Sequence, residues 1–321
     1  MDVQVSTQGI DEASKSFLDD VLSGLGAKQK QLPCKYFYDR KGSQLFDAIC
    51  RVEEYYPTRT ETALMQTHAR EMANHIGAGV SLIEYGCGSL VKTRLLLDAL
   101  DEPSMFVPID ISEEHLMRSA AALDRDYPGL DVFPVVADFT KPVPLPEEAE
   151  NRKNKRVGFF PGSTIGNFDH EGAANFLETV AETVGQGGGL LIGVDLKKDE
   201  KTLLRAYDDD EGVTARFNLN IIERINRELD GDFDTGAFRH EARYDEKEGR
   251  IEMHLVSRRD QTAHVQGHPF RFREGESIHT ENSYKYHDEE FQELAAGRGF
   301  RAVQTWVDNN NLFSLQYLTR N

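Results

Sequence analysis

Several features that mark particular classes of protein are scarce in this 321-residue sequence. Its three cysteines, Cys34, Cys50 and Cys87, are odd in number and irregular in spacing, which argues against a disulfide framework and suits a reducing compartment. No His or Asp stands beside Cys87, so we interpret it as a small residue and not as a nucleophile. The ten histidines are scattered and no C-x-x-C pattern occurs, so we expect no metal site.

Long apolar runs and basic charge are also missing. No stretch approaches the roughly 18 apolar residues that a membrane span needs, and the N-terminal segment lacks the apolar region of a signal peptide. The 37 Lys and Arg residues stand against 55 Asp and Glu residues, a net charge of −18 without a basic stripe. We therefore expect a cytoplasmic, monomeric protein that acts on a small molecule and binds neither nucleic acid nor membrane.

What the sequence does contain is a glycine turn between a strand and a helix. The apolar run 81–83 leads into Glu84, and Gly86 and Gly88 follow. Glycine lets the chain turn sharply where a side chain would strike a nucleotide-like ligand. Residues 91–100 then have helical spacing, but the third glycine of the dinucleotide-binding motif is missing. The turn alone therefore leaves two interpretations open, a nucleotide-type site and an ordinary βα turn.

Two later strand-like runs also end in an acidic residue. The run 106–109 leads to Asp110, about 20 residues beyond the glycines, where a carboxylate can accept the hydroxyls of a ribose. The run 135–137 leads to Asp138 and Phe139. Because parallel strands end at one edge of a sheet, these carboxylates are expected along a ligand-binding edge. The alternative for any single Asp is a helix N-cap.

The rest of the sequence indicates how the chain is organised. Strand-like and helical stretches alternate from residue 82 to residue 194, which predicts an α/β fold class with a doubly wound sheet. In residues 197–286, stretches with helical spacing followed by a strand-like alternation predict an inserted α+β lobe. A helix and two strands complete the sheet. We expect one domain of residues 60–196 and 287–321, and a second lobe of residues 1–59 and 197–286.

Aromatic residues crowd into residues 32–61, a segment that also carries turn residues. For any one of them a place in the core is as good an interpretation as a functional one. As a group they suggest a lid or an aromatic pocket; they are Tyr36, Phe37, Tyr38, Phe46, Tyr55 and Tyr56.

The acidic strand ends and the glycine turn resemble those of the class I S-adenosylmethionine-dependent methyltransferases, which have a Rossmann-like doubly wound sheet. The resemblance implies that Gly86 and Lys92 meet the methionine part of S-adenosylmethionine and that Asp110 holds its ribose. Asp138 with Phe139 would meet the adenine. A nicotinamide-dependent dehydrogenase would use the same sheet edge and stays an alternative, although it would be expected to carry the complete G-x-G-x-x-G motif.

Four strings, at residues 35–39, 54–61, 162–167 and 205–209, resemble the histidine-specific N-alpha-methyltransferases of ergothioneine biosynthesis. The likeness extends over nearly the whole chain from about residue 32. That family converts L-histidine to its N-alpha-trimethyl betaine, hercynine, and consumes three molecules of S-adenosylmethionine. The resemblance implies that the sheet domain binds S-adenosylmethionine and that the second lobe binds the substrate.

The same resemblance implies a set of site residues. Asn167 and Tyr207 would hold the substrate carboxylate. Tyr38, which would also contact the cofactor, and the backbone of Gly162 would lie near the amine, so Tyr38, Gly162 and Asn167 are the candidate catalytic residues. The remaining substrate contacts are Phe46, Thr164 and Met253 for the pocket wall, and Tyr55, Glu281 and Ser283 for the imidazole. Tyr85 and Cys87 depart from the family pattern inside the glycine turn.

Two alternatives to histidine methylation stay open. Relatives of this family act on tryptophan derivatives, and Glu281 discriminates between the two substrates because an indole lacks the second ring nitrogen that a carboxylate can bind. A non-catalytic subunit that only binds S-adenosylmethionine would bind the cofactor without turnover.

Overall fold

The structure, a computed structural model, describes residues 7–88 and 90–320. The helices are α1 (Thr7–Gly26), α2 (Arg40–Ile49), α3 (Tyr56–Ile76), α4 (Leu90–Leu97), α5 (Glu113–Asp126), α6 (Glu147–Glu150), α7 (His170–Val184), α8 (Glu200–Tyr207), α9 (Val213–Glu228) and α10 (Asp288–Ala296). The strands are β1 (Lys30–Gln31), β2 (Ser81–Tyr85), β3 (Met105–Asp110), β4 (Asp131–Val132), β5 (Val135–Val136), β6 (Arg156–Phe160), β7 (Gly189–Asp195), β8 (Phe238–Asp245), β9 (Arg250–Ser257), β10 (Gln261–Val265), β11 (His268–Phe272), β12 (Ser277–Tyr284), β13 (Phe300–Val307) and β14 (Phe313–Arg320). Among these helices, none has the length and apolarity to cross a membrane.

The larger of two structural units contains an eight-stranded sheet. Its strand order is β13-β14-β7-β6-β2-β3-β4, and β5 also pairs with β3. Strands β7, β6, β2 and β3 are parallel to one another, while β14 is antiparallel to both β7 and β13. The predicted α/β fold class, with a parallel sheet completed by an antiparallel hairpin, is confirmed.

Successive residues of the central strands enter different cores because side chains alternate between the two faces of a strand. In β2, Leu82 packs with helices α3, α4 and α5, whereas Ile83 packs with α7 and α10. Phe159 and Phe160 of β6 divide in the same way. The sheet is therefore covered by helices on both faces, and its ligand-binding surface is left to the strand ends.

The smaller unit comprises Met1–Ile49, Tyr207–Tyr244 and Glu252–Glu281, and the larger comprises Cys50–Ala206, Asp245–Ile251 and Asn282–Asn321. Residues 50–59, 197–206, 245–251 and 282–286, which were predicted to belong to the second lobe, thus belong to the larger unit. Helix α3 begins already at Tyr56, and its apolar face joins the core of the larger unit. The functional roles of the two predicted domains stay predictions.

Most residues of a second sheet, with strand order β1-β12-β9-β8, lie in the smaller unit. Helix α9 supplies Phe217, whose ring centroid lies 4.6 Å from that of Phe37. Asn218 of α9 is fully buried and donates to the carbonyl oxygen of His254 at 3.1 Å. Apolar packing and a buried amide together attach α9 to its sheet.

The strand predicted over residues 135–137 is present but shorter: it is β5, which ends at Val136, and the separate strand β4 precedes it. The prediction for the aromatic segment was wrong. Residues 32–61 were expected to be loop-rich, yet α2 and the start of α3 make them largely helical. Tyr36, Phe37 and Tyr56 are buried and belong to the core.

Removing the N-cap of α7 should destabilise the protein. The carboxylate of Asp169 accepts the N–H of Gly172 at 2.7 Å. Asp169→Ala should lower the free energy of unfolding by about 1 kcal/mol, because that N–H would lose its acceptor. Urea denaturation measures the change, and Asp169→Asn is the control, since an amide oxygen also caps. Equal stability of the alanine variant and wild type would contradict the capping role.

Candidate functional site

The candidate site lies at the carboxyl ends of adjacent parallel strands in the larger unit. Strand β2 lies between β3 and β6. Glu84 is the penultimate residue of β2, Asp110 ends β3, and the loop 161–167 follows β6. Because these strands are parallel, their ends meet at one edge of the sheet, as the sequence analysis predicted.

Glu84 is a buried carboxylic acid. It is 2% exposed, and the hydroxyl of Thr93 donates to its two oxygens at 2.9 and 3.1 Å. Burial raises the pKa of Glu84 to about 8, and the neighbouring carboxylates of Asp110 and Glu61 act in the same direction. In the absence of a cationic ligand, Glu84 is therefore largely protonated at neutral pH.

The glycine turn leaves room beside the sheet edge. Gly86 has a φ of +79°, a conformation that glycine adopts without strain, and a Cβ there would lie 3.5 Å from the ring of Phe139. At Gly88 a Cβ would meet nothing within 4 Å. Phe139 is held edge-on against Phe160, with ring centroids 5.7 Å apart. The free space beside the backbone of Gly88 and the ring of Phe139, which is held in place by packing, together fit a ligand that contains a planar base.

Cys87, inside the same turn, is fully buried. Burial raises the pKa of its thiol, and the nearby carboxylates of Glu84 and Asp110 raise it further. The thiol therefore stays protonated, which supports its interpretation as a small packing residue.

The two aspartates of the predicted cofactor site differ in their surroundings. Asp110 is partly buried and accepts the N–H of Ser112 at 2.8 Å, and burial raises the pKa of its carboxyl group. Asp138 lies in a turn beyond β5, where it accepts the N–H of Thr140 at 3.1 Å and the hydroxyl of the same residue at 2.5 Å. Asp110 therefore sits at a strand end as predicted, while Asp138 stabilises its own turn.

A buried glutamate that sequence reasoning missed connects two of the predicted residues. Glu61 of α3 is 0% exposed, and its Oε2 lies 2.6 Å from Nζ of Lys92. Both of its carboxylate oxygens accept the N–H of Gly162 at 2.9 Å. A Cβ on Gly193 of β7 would lie 2.3 Å from Oε1, so this glycine makes room for the carboxylate. The only sequence signal was an acidic residue within the string 54–61.

The loop after β6 has an unusual backbone. Gly162 has a φ of +81° and Ser163 a φ of +56°, which is left-handed for a residue with a side chain. Thr164 donates to the carbonyl oxygen of Pro161 at 3.1 Å, and a one-turn 3-10 helix then ends at Asn167. This backbone fixes the positions of Gly162, Thr164 and Asn167, all three of which were predicted site residues.

Two further predicted site residues of the larger unit, Ser283 and Tyr55, take part in hydrogen bonds. Ser283 of β12 is buried, and its hydroxyl oxygen accepts a hydrogen bond from Nζ of Lys285 at 2.7 Å. Tyr55 is half-buried and immediately precedes α3, where its N–H donates to the carbonyl oxygen of Val52 at 3.2 Å.

The smaller unit brings Tyr38 and Phe46 together. Their ring centroids are 5.7 Å apart, and both rings also pack against Phe217. Tyr207 and Met253 are buried, and their carbonyl oxygens bind His240 and Thr280 respectively. Glu281 is half-buried on β12, and its carbonyl oxygen contacts Nε2 of His279 at 3.1 Å.

Comparison with known proteins gives matches over most of the chain. The family model described as "Histidine-specific methyltransferase, SAM-dependent" matches residues 17–320. A histidine N-alpha-methyltransferase of Mycolicibacterium smegmatis is 40% identical over 316 residues, which are 97% of this chain and 97% of that protein. Ergothioneine biosynthesis protein 1 of Neurospora crassa is 34% identical over 88% of this chain and 32% of its own length. The fold is that of a proposed methyltransferase from Thermobifida fusca, with a TM-score of 0.50 and 12% identity over 93% of this chain and 97% of that one.

Replacing Glu84 by Gln should change how stability depends on pH. The folded protein keeps a proton on Glu84 up to a pKa of about 8, whereas the unfolded chain releases it near the ordinary value of 4.5. The stabilisation by protonated Glu84 is thus fully present below pH 4.5, and it is lost as the pH rises from 4.5 to about 8. Glutamine does not titrate, so the unfolding free energy of Glu84→Gln minus that of wild type should rise by up to about 1.4 kcal/mol per pH unit within this window.

Urea denaturation of both proteins at a series of pH values measures this difference. The exposed residue Glu182 provides the control, Glu182→Gln. A difference between Glu84→Gln and wild type that does not change with pH would show that Glu84 is ionised in the fold.

Proposed function

Because the chain belongs to the S-adenosylmethionine-dependent, histidine-specific methyltransferase family, we propose that it adds three methyl groups to the alpha-amine of L-histidine. The product is hercynine, and the reaction is the first step of ergothioneine biosynthesis. The observation that carries this proposal is 40% identity to a histidine N-alpha-methyltransferase along 97% of both chains. The name of the Neurospora crassa relative supports the pathway.

S-adenosylmethionine supplies a methyl group activated by its attachment to a sulfonium. We assign its methionine part to Gly86 and Lys92, and its ribose to Asp110. Its adenine is assigned to Asp138 and Phe139. The open space beside Gly88 and the fixed ring of Phe139 support this assignment, and a carboxylate such as Asp110 can accept ribose hydroxyls.

The substrate would be held by its two charged ends and its ring. We assign its carboxylate to Asn167 and Tyr207, and its amine to Tyr38 and the backbone of Gly162. Both groups for the carboxylate are neutral, which suits an anion that must lie close to a sulfonium. The ring and the pocket wall are assigned to Phe46, Tyr55, Thr164, Met253, Glu281 and Ser283.

Methyl transfer of this kind depends mostly on alignment. The amine must lose its proton and direct its lone pair at the methyl carbon, and holding both partners in line supplies most of the rate enhancement. No strong base is needed, since the phenol of Tyr38 or a water molecule can relay the proton. The left-handed backbone at Gly162 and Ser163, which gives this loop a defined course, supports a precise position for the amine.

We also propose that the protein acts as a monomer on the free amino acid, without a nucleic acid or membrane partner. The protein has 55 acidic and 37 basic residues, and this excess of negative charge supports the proposal that it does not bind nucleic acid.

Incubation of the purified protein with S-adenosylmethionine and single amino acids tests the activity. Histidine should yield mono-, di- and trimethylated products by mass spectrometry, with the trimethylated form accumulating at the end. Preferred methylation of tryptophan would favour the tryptophan alternative, and binding of S-adenosylmethionine without any product would favour a non-catalytic subunit. Either outcome would contradict the proposed function.

Glu281→Ala should weaken the preference for histidine. A carboxylate in a pocket with aromatic residues is costly to desolvate unless a ligand N–H replaces the lost water, so it favours an imidazole over an apolar ring. Its removal should cost histidine about 1.5 to 3 kcal/mol, or on the order of ten- to a hundredfold in kcat/KM. Activity on tryptophan should fall less or rise.

The measurement is the ratio of kcat/KM for histidine to that for tryptophan, in wild type and in Glu281→Ala. Glu274→Ala, at an exposed glutamate of the same unit, is the matched control. An unchanged ratio in Glu281→Ala would mean that other residues set the specificity.

A further inference from the structure

A buried cluster of charged residues surrounds the carboxyl end of β7. The carboxylate of Asp195 is 0% exposed and accepts hydrogen bonds from Nζ of Lys285 at 2.7 Å and from Nζ of Lys198 at 2.5 Å. The hydroxyl of Tyr56 donates to it at 2.7 Å. Lys285 is itself 1% exposed. None of these four residues has a role in the site described above.

The electrostatics of the cluster make it a poor source of stability. Burial would raise the pKa of Asp195, but the adjacent Lys285 and Lys198 outweigh burial and hold it below its ordinary value. Burial also lowers the pKa of Lys198 to about 8. Apolar side chains of similar volume would stabilise a buried strand end at least as well as such an ion cluster. The groups that the cluster holds in place therefore explain it better than a contribution to stability does.

Two hydrogen bonds connect the cluster to the predicted substrate-binding residue Ser283 and to Ser163, the neighbour of the predicted residue Gly162. Nζ of Lys285 donates to the hydroxyl oxygen of Ser283 at 2.7 Å. The backbone N–H of Asp195 donates to the hydroxyl oxygen of Ser163 at 2.9 Å, next to Gly162. Asp195 thus links Ser283 on β12 to the loop after β6.

The bond from Lys285 determines how Ser283 can be used. A lysine ammonium group only donates, so the hydroxyl oxygen of Ser283 is the acceptor and its own hydrogen is directed away from Lys285. The bond therefore holds the Ser283 hydroxyl in one place, and the positive charge of Lys285 disfavours a protonated imidazole close by.

We propose that Lys285, held by Asp195, is a positioning residue that fixes the Ser283 hydroxyl where it meets the neutral imidazole of the substrate. This inference rests on the proposed histidine methylation. It adds Asp195 and Lys285 to the residues that determine specificity, although neither touches the substrate.

A double-mutant cycle between Lys285→Met and Ser283→Ala tests the proposal. Lys285→Met should fold, because Asp195 keeps Lys198 and Tyr56 as partners. It should lower kcat/KM for histidine by about tenfold, mainly through KM, while the affinity for S-adenosylmethionine changes by less than about twofold. In a protein that already carries Ser283→Ala, the further cost of Lys285→Met should be less than about twofold, since the group through which it acts is gone.

Lys198→Met is the matched control, since it removes the other ammonium group from Asp195 and none of the bonds to Ser283 described above. Its cost should be smaller than that of Lys285→Met and the same with or without Ser283→Ala. Additive costs for Lys285→Met and Ser283→Ala, or equal behaviour of the two lysine variants, would overturn the proposal. Circular dichroism checks folding, and if Lys285→Met is unfolded the same cycle and criteria apply to Lys285→Gln.

The wild-type assay separates this inference from the function on which it rests. If wild type methylates histidine and the cycle is additive, only the positioning role fails. If wild type leaves histidine unchanged, both the proposed function and the positioning role fail.

Discussion

The parallel pairing of β6, β2 and β3 is the constraint on which the candidate site depends. Parallel strands end at the same edge, so Glu84, Asp110 and Gly162 come together although they are distant in sequence. Helices cover both faces of these strands, which means that each face has its own apolar set. A shift of one residue in the register of a strand would exchange those sets, so the packing of the core also fixes the position of the acidic strand ends.

Two buried carboxyl groups of the larger unit have pKa values that are shifted in opposite directions. Glu84 has a hydroxyl group as its hydrogen-bond partner, and burial raises its pKa. Asp195 has two ammonium groups, and they lower its pKa despite complete burial. The fold therefore sets the protonation of each acid through its neighbours and not through its depth alone. A neutral and an ionised carboxyl group can coexist at neutral pH within the same unit.

The strand ends were predictable from the sequence because they depend on local patterns. An apolar run followed by an acid and glycines indicates a strand and its turn without knowledge of the rest of the chain. Glu61 and Lys285 show where this reasoning stops. Both are charged residues of kinds that are usually solvated, and their burial follows from distant partners, namely Gly162 and Lys92 for Glu61, and Asp195 for Lys285. The expected roles of Tyr207 and Glu281 came from family resemblance and not from any local pattern.

Neither structural unit is a continuous piece of chain, and this has a consequence for synthesis. Each is assembled from separate segments, and β12 runs from the smaller unit at Glu281 into the larger at Asn282. The smaller unit cannot be completed until the segment 252–281 has left the ribosome, and the larger one also needs the hairpin of β13 and β14. Folding of each unit is therefore postponed until its last segment has been synthesised, and the edge of β7 must stay unaggregated while it waits for its partner β14.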